Sequence, residues 1–534
     1  MILAVGLIVA VVAAAGALAL RLAGSEGVVL SGQSSYTEGV AGTWQRVNPL
    51  FANANEVDAD IAQLVFSGLV RTAPDGTVVG DLASLPAVTD EGRTYTFKLR
   101  DNLQWHDGAK VTSQDVLFTI QTVTDGDFSG DQLLAEGWRG AEFEVPDERT
   151  FIVHLRQASA PFLARSATIG ILPEHLLGSV PIRDLSDASF NANPVGTGPY
   201  RVEALDSREA RLVAFDQYHL GRPGIQNLTL RFYADEASAT RALQGGDVSG
   251  LFIRNAPTKG QLSDLKSVKD TTTKQLQRSA EVLLYLNTSN TLFRDQRVRQ
   301  AISMALDRQA IVDNEFFGAA TPSASQIAPG TWAYSPEYDS VDRNLSQAHA
   351  LLADAGWTPT LSTGILARDG QEFRFTIRVD NNPVRFAIAN DISEQLNALG
   401  IRASVSSTTF TVLHLDYLVP RRYEAAIAIW DQGPDPDPYF GWHSSQMGSA
   451  GLNLANFEDP VTDELIAKGR QSNDLEIRKD SYRQFQEIWQ ELVPGVVIAY
   501  PHSVYAFPDG LKNVTDGVLF SSALRFADVQ KWRR

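Results

Sequence analysis

The chain has no cysteine. Disulfides, thiol nucleophiles, thiolate metal sites and lipid attachment through an N-terminal cysteine are therefore excluded. Histidine is sparse, with 8 residues scattered over 534. None stands in a His-Glu-x-x-His pattern and no two share helical spacing, so a hydrolytic zinc site has no foundation. A Gly-x-Ser-x-Gly nucleophile elbow, a phosphate-binding glycine loop ending in Lys-Ser or Lys-Thr and a dinucleotide fingerprint are also missing. His106 beside Asp107 has the look of a catalytic pair, but Asp107-Gly108 is a turn signal that accounts for the aspartate more simply. No enzyme, cofactor or metal is expected. Positive charge is short as well: 46 Lys and Arg face 63 Asp and Glu, giving a formal charge of −17 and a pI near 5.0. That balance excludes nucleic acid or an anionic membrane surface as the main partner.

One long uncharged run is present, at the N-terminus. Ile2 to Leu20 is 19 residues without a charge, close to the length that crosses a bilayer. Ala17-Leu18-Ala19 fits a small-x-small cleavage pattern, although no basic residue precedes the run. Residues 1–23 are expected to be an export signal or a membrane anchor, so that the chain contacts the membrane through this segment only and works outside the cytoplasm. The remainder, with 44% hydrophobic and 20% charged residues over the whole chain, is ordinary globular material. Its length exceeds a single core and predicts two to four domains.

Along the chain, Tyr36 to Val40 reads as a short strand. Val57, Ile61, Leu64 and Val65 fall at helical spacing before Gly68. Tyr95, Phe97 and Leu99 alternate as a half-buried strand, as do Phe151, Val153 and Leu155, with a helix starting near Ser113 between them. Asn193-Pro194-Val195-Gly196-Thr197-Gly198-Pro199-Tyr200 is densely punctuated, and a tight structural turn is the favoured reading over a loop that approaches a ligand. Val282 to Leu286 is an apolar strand running into Asn287-Thr288. A helix over 294–312 follows, then helices near 348–357 and 392–400 on either side of a strand carrying Phe373, Phe375, Ile377 and Val379. This alternation predicts an α/β lobe with a largely parallel sheet. A helix carrying Tyr482, Phe485, Trp489 and Leu492, an apolar strand over 496–500 and a loop-rich tail close the chain.

The most informative stretch is Tyr423 to Gln446. An apolar run, Ala425 to Trp430, leads into Gly433-Pro434-Asp435-Pro436-Asp437-Pro438 and then Tyr439, Phe440 and Trp442. Proline removes an amide donor and drives the preceding residue out of the helical region, so Asp435 and Asp437 are expected on extended backbone. Two carboxylates among aromatics at a strand end could wall a ligand site, or simply form a turn. His443 nearby makes a metal site conceivable, but such loops are more often structural than ligating.

Five stretches together resemble a known family, the extracytoplasmic solute-binding proteins of ABC importers in the peptide, oligopeptide and nickel group (family 5). They are residues 48–71, 95–120, 193–200 (NPVGTGPY), 286–311 and 433–446 (GPDPDPYFGWHSSQ). The resemblance spans nearly everything after Ser35. It implies a two-lobed α/β clamp with an extra subdomain in lobe one. Lobe one would comprise 31–52, 195–283 and 500–534, the inserted subdomain 53–194 and lobe two 284–499, with strand crossings near Leu284 and Tyr500 as the hinge. It further implies capture of peptides between closing lobes and delivery to permease subunits driven by a cytoplasmic ATPase. Nickel or another small solute, or a role as exported sensor or enzyme, is the alternative. Main-chain pairing would supply affinity. The matching ligand-binding positions are Tyr36, Thr37, Glu38 and Gly39 on lobe one, and Asn287, Trp430, Asp431, Asp435 and Tyr439 on lobe two. An aspartate after the tryptophan would meet the ligand's amino terminus, with Asp431 and Asp435 both open for that role.

Overall fold

The computed structural model describes residues 34–340, 342–448 and 451–534; the N-terminal segment expected to direct export or anchoring lies outside them. Among the described residues no helix is long and apolar enough to cross a membrane.

A 12-stranded mixed sheet carries the molecule. Its centre is the strand Gly495–Pro508, 14 residues long and buried along nearly its whole length. The first part pairs with Ala280–Leu286 and Ala320–Pro322, the second with Thr271–Gln277 and Gly250–Ile253, all antiparallel. Beyond Ala280–Leu286 lie Ala425–Asp431 (antiparallel to it) and then, parallel to one another, Arg374–Asp380 and Arg402–Thr408. On the other side Ser35–Ala41 runs parallel to both Gly250–Ile253 and Asn227–Tyr233, and Glu209–Ala214 and Tyr200–Leu205 complete that half antiparallel. The sheet is thus less parallel than strand–helix alternation predicts, because the strands that meet at its centre run against their neighbours. Thr271–Gln277 and Ala280–Leu286 are successive, and the change from one half to the other comes at Arg278-Ser279 rather than at Leu284, which is paired on both edges.

The two halves have separate cores, which makes the fold two-lobed. One half packs around Tyr36, Val40, Leu228, Leu230, Phe252 and Tyr505. The other buries both faces of its sheet: Val282, Leu284 and Leu286 face a cluster with Val298, Ile302, Phe375, Ile377 and Ile392, and Leu283 and Tyr285 face one with Trp442, Phe485 and Trp489. A strand covered on both faces reads as an unbroken apolar run, which is how 282–286 reads. The predicted helix over 294–312 is two helices, Gln296–Ala305 and Arg308–Glu315. Leu306 is extended, and the Asp307 carboxylate caps the second helix through the Ala310 amide at 2.9 Å. An aspartate inside an apolar period competes for backbone donors and starts a new helix.

Residues 66–197 form a further antiparallel sheet, Ala87–Thr89, Thr94–Lys98, Thr150–His154 and Glu142–Asp147, backed by the helix Ser113–Thr124. NPVGTGPY ties this region to the main sheet. The Gly198 amide donates to the Val65 carbonyl at 2.8 Å, and a Cβ on Gly196 would lie 1.9 Å from the same oxygen. His106 grips the loop from the other side. Its Nδ1 accepts from the Gly196 amide at 3.2 Å and its Nε2 lies 3.0 Å from the Gly198 carbonyl. Burial pushes its pKa down to about 4, so the ring is neutral with the proton on Nε2. Asp107 turns instead to His175 at 2.8 Å. The two residues that looked like a pair have separate structural partners.

Two buried charge clusters hold the sheet. Arg525, fully buried, lies between Glu38 and Asp60 with contacts of 2.6 to 3.0 Å, and Arg254 reaches Asp60 from outside at 2.6 Å. Burial alone would raise the Asp60 carboxyl, but the two guanidinium groups outweigh it and hold it below the ordinary range. Glu281, at the start of Ala280–Leu286, has no cation beside it among the described residues. Its Oε2 lies 2.9 Å from the Tyr500 hydroxyl and 3.5 Å from Gln432 Nε2, and its Oε1 has no partner among the described residues. Burial holds this carboxyl well above the ordinary 4.5.

Replacing Arg525 by Met should leave the buried Glu38 without a cation and Asp60 with Arg254 alone, and lower stability by about 3–5 kcal/mol. Combining Arg525→Met with Glu38→Gln and Asp60→Asn should restore much of that loss, as read by denaturant unfolding. Glu281 acts with the opposite sign to Asp60. The raised folded pKa means its stability contribution is full below about 4.5 and is lost as pH rises through the folded value. Glu281→Gln keeps the shape and removes the titration. Its thermal midpoint should match wild type in acid and lead by a growing margin from about pH 5 toward about pH 8; a margin independent of pH would refute this account.

Candidate functional site

A cavity of about 780 Å³ opens beside the end of strand Ala425–Asp431. Trp430, Asp431, Gln432 and Phe440 form one wall, the helix Glu56–Val65 and the 164–170 segment the facing one, and residues 520–527 of the tail the floor. The strand that supplies this wall is buried at Ala425, Ala426 and Ile427 and emerges from the core at Ile429 to Asp431. Trp430 and Asp431 are successive and point to opposite faces of the pleat, and both reach the cavity because the strand ends at its edge. Trp430 packs flat against Gly441, where a Cβ would lie 3.2 Å from the indole. Sequence spacing alone does not show that need for glycine.

The three aspartates of the stretch have different surroundings. Asp435 is buried and engages Arg478 through two parallel contacts, 2.7 and 2.9 Å. Burial would raise this carboxyl, but the Arg478 guanidinium prevails and holds it below the ordinary range. Arg478 is itself fixed over the Trp332 ring and donates to the Gly469 carbonyl at 3.0 Å. Asp437, whose carboxylate is fully buried, forms an ion pair with Arg470 and accepts from the Tyr439 amide at 3.2 Å. Asp431 is the exposed one. Its Oδ1 accepts from Ser279 Oγ at 2.9 Å and from the Gly433 amide at 3.0 Å, and it forms no ion pair among the described residues. The Asp-Pro-Asp portion is therefore fastened to the helices Pro460–Gln471 and Leu475–Leu492, and its orientation leaves Asp431 facing the cavity.

The other positions taken from the resemblance lie elsewhere. Tyr36 and Glu38 are buried, their side chains joined to each other and to Tyr505 and Arg525 at 2.6 to 3.0 Å. Thr37 and Gly39 share a strand bordered by neighbours on both edges, so their main chain has no open edge for an extended ligand. Asn287 is buried and donates to the carbonyls of Arg421 and Tyr423 at 3.1 and 3.0 Å, fixing the approach to strand Ala425–Asp431. Tyr439 lies under Arg470, its ring centroid 4.3 Å from the guanidinium carbon, with its hydroxyl 3.1 Å from Ser445 Oγ; the cavity wall at that point is Phe440. His443 accepts from the Ser445 amide at 3.1 Å and lies 3.7 Å from Asp463, and among the described residues no group of three or more metal-ligating side chains converges. Sequence reasoning passed over Phe66, Arg71, Arg165 and Phe520, all cavity residues. They stand in a bend, at or just past helix ends, or in the three-residue strand Val70–Thr72, all too short or irregular for periodicity to mark them.

Residues 77–451 match the bacterial extracellular solute-binding proteins, family 5. The chain is 28% identical over 503 residues to the oligopeptide-binding protein AppA of Bacillus subtilis, covering 91% of this chain and 89% of that protein. It is 30% identical over 457 residues to protein XP55 of Streptomyces lividans, covering 84% and 80%. The solved structure of B. subtilis AppA in complex with a nonapeptide superposes with a TM-score of 0.68 at 27% identity over 94% of this chain and 99% of the other. NikZ from Campylobacter jejuni in complex with Ni(L-His) shares the fold, with a TM-score of 0.71 at 24% identity over 94% and 99%. The chain belongs to the bacterial extracellular solute-binding proteins of family 5.

Proposed function

We propose that this protein is the binding component of an ABC importer. It captures a peptide in the cavity beside Trp430 and hands it to permease subunits worked by a cytoplasmic ATPase. The observation that carries the reading is Asp431, an exposed carboxylate with no cationic partner among the described residues, next to an indole at the edge of a cavity with room for several residues. A peptide ammonium that loses water when the cavity closes needs a carboxylate, since an unpaired buried charge is expensive. Asp435 and Asp437 already have guanidinium partners, which supports Asp431 over Asp435 for the amine. The oligopeptide-binding name of the Bacillus relative supports peptide over a nickel chelate. The protein itself performs no chemistry in this reading; it acts outside the cytoplasm, with its N-terminal segment serving as export signal or anchor.

Over the described residues the proposed lobes follow the resemblance with one boundary moved to the strand change: 34–52, 195–277 and 500–534 for the first, 53–194 as its insertion and 280–499 for the second. The strand change at Arg278-Ser279 and the central strand near Tyr500 serve as hinge. Two crossings of this kind favour rigid-body closure on ligand.

Titration calorimetry of Asp431→Asn with oligoalanines tests the site. Removing one partner of a desolvated charge pair costs about 2–5 kcal/mol, so affinity should fall at least about tenfold. N-acetylation of the peptide should cost wild type a similar factor and cost the variant little. Asp435→Asn should chiefly lower the unfolding midpoint, because it strands Arg478. Equal, small effects of Asp431→Asn on free and acetylated peptides would remove Asp431 from the role, and mass spectrometry finding nickel instead of peptide on gently purified protein would overturn the ligand class. Small-angle scattering checks the motion. The radius of gyration should fall when a bound oligoalanine saturates the protein, and an unchanged curve would rule out closure.

A further inference from the structure

A second cavity, of about 330 Å³, adjoins the first and shares Leu133, Glu136, Arg165 and Phe440 with it. Its lining holds four arginines, Arg139, Arg156, Arg165 and Arg470, in a chain whose formal charge is −17. Arg470 is matched by Asp437. The others donate only to neutral acceptors, and the Arg165 charge also acts on the buried Asp435 carboxylate, which Arg478 already pairs. Arg139 donates to Gln132 Oε1 at 3.0 Å, Arg156 to the Gly140 carbonyl at 2.8 Å and Arg165 to the Asp435 carbonyl at 3.3 Å. None of these three forms an ion pair among the described residues. The single acid in the lining is Glu136, which is exposed.

The arginines are held by packing. Arg165 and Arg470 both lie over the Phe440 ring, 5.3 and 5.0 Å from its centroid. The Arg156 guanidinium rests on Gly140, where a Cβ would come within 2.4 Å of it. Like charges gathered around one hollow repel, and the repulsion is relieved by an anion that enters it. Guanidinium forks match the planar geometry of a carboxylate and stack on aromatic rings without losing that capacity. A volume of this size admits a carboxylate with some of its water.

We infer that this arginine-lined side cavity receives a carboxylate of the ligand whose other end lies beside Trp430 and Asp431. The inference rests on the peptide-capture reading above. It makes the site bipolar, with an acid for the amine at one end and bases for a carboxylate at the other. The carboxylate comes either from the peptide's C-terminus or from an acidic side chain, and both share the same recognition.

The test compares wild type with Arg139→Gln/Arg156→Gln, both exposed positions, and with Arg165→Gln. The probes for calorimetry are oligoalanines of increasing length, their C-terminal amides, and amides of the same length with one glutamate. For a C-terminal carboxylate, wild type should prefer the free acid over the amide by about tenfold, the effect of a charge-assisted hydrogen bond. For a side-chain carboxylate, the glutamate peptide amide should recover that preference. Either preference should vanish in the double variant and fade in Arg165→Gln. Equal affinity for acid, amide and glutamate amide in wild type, or a preference that survives in the double variant, overturns the inference. If no oligoalanine binds, the capture reading fails separately, and succinate alone then tests the cavity. It should raise the thermal midpoint of wild type and leave that of the double variant unmoved, and no shift in wild type overturns the inference.

Discussion

A strand can belong to two lobes only if its backbone groups find partners on both edges along its whole length. Gly495–Pro508 answers that demand with four neighbours: Ala280–Leu286 before Tyr500, Ala320–Pro322 across it, and Thr271–Gln277 and Gly250–Ile253 after it. An unpaired buried amide or carbonyl costs about as much as a lost hydrogen bond, so the segment cannot shift in register without disturbing both halves. The neighbouring crossing, from Thr271–Gln277 into Ala280–Leu286, is held to it by Glu281 and Tyr500. A charge at that point would lie in a dry region with no cation to meet it. A carboxyl kept neutral by burial gives a polar contact without an ion pair, and Gln432 carries that contact to the cavity wall.

Charge is sorted by depth in the Trp430 to Trp442 stretch. The inner aspartates, 435 and 437, are matched one to one by arginines from two helices, and those pairs shape the loop. Breaking such a pair is costly even where the pair itself adds little net stability. Asp431, at the outer edge, bonds only to a hydroxyl and an amide, and remains available to a cation from solution. Rigid inner pairs and an uncommitted outer acid are what a binding wall needs, since the supporting residues fix the geometry of the one that acts.

Much of the secondary structure was legible from periodicity. The alternation at Phe373 to Val379, the unbroken run at Val282 to Leu286 and the helical face of Tyr482, Phe485 and Trp489 all appear where the residue pattern puts them. Asp307 broke the one long helix because a local cap outcompeted an apolar period. The site was legible only in part. Trp430 and Asp431 sit at the end of a patterned strand and could be found. Tyr36 and Glu38 misled, because a polar residue in a strand looks the same whether it faces a ligand or a buried arginine more than 480 positions away. Arg165 and the tail residues of the cavity carry no local signal at all. Their neighbours are set by tertiary packing.

The clasp between Val65 and Gly198 reaches beyond local order. Because the chain leaves the helix Glu56–Val65 and returns to the start of the strand Tyr200–Leu205 across one hydrogen bond, the 132 residues between Val65 and Gly198 form a closed lariat. The two ends of that lariat stay pinned at the start of the strand Tyr200–Leu205 by glycines that leave no room for a side chain. Its residues 164–170 supply part of one cavity wall, so the point where the lariat closes also fixes where that wall stands.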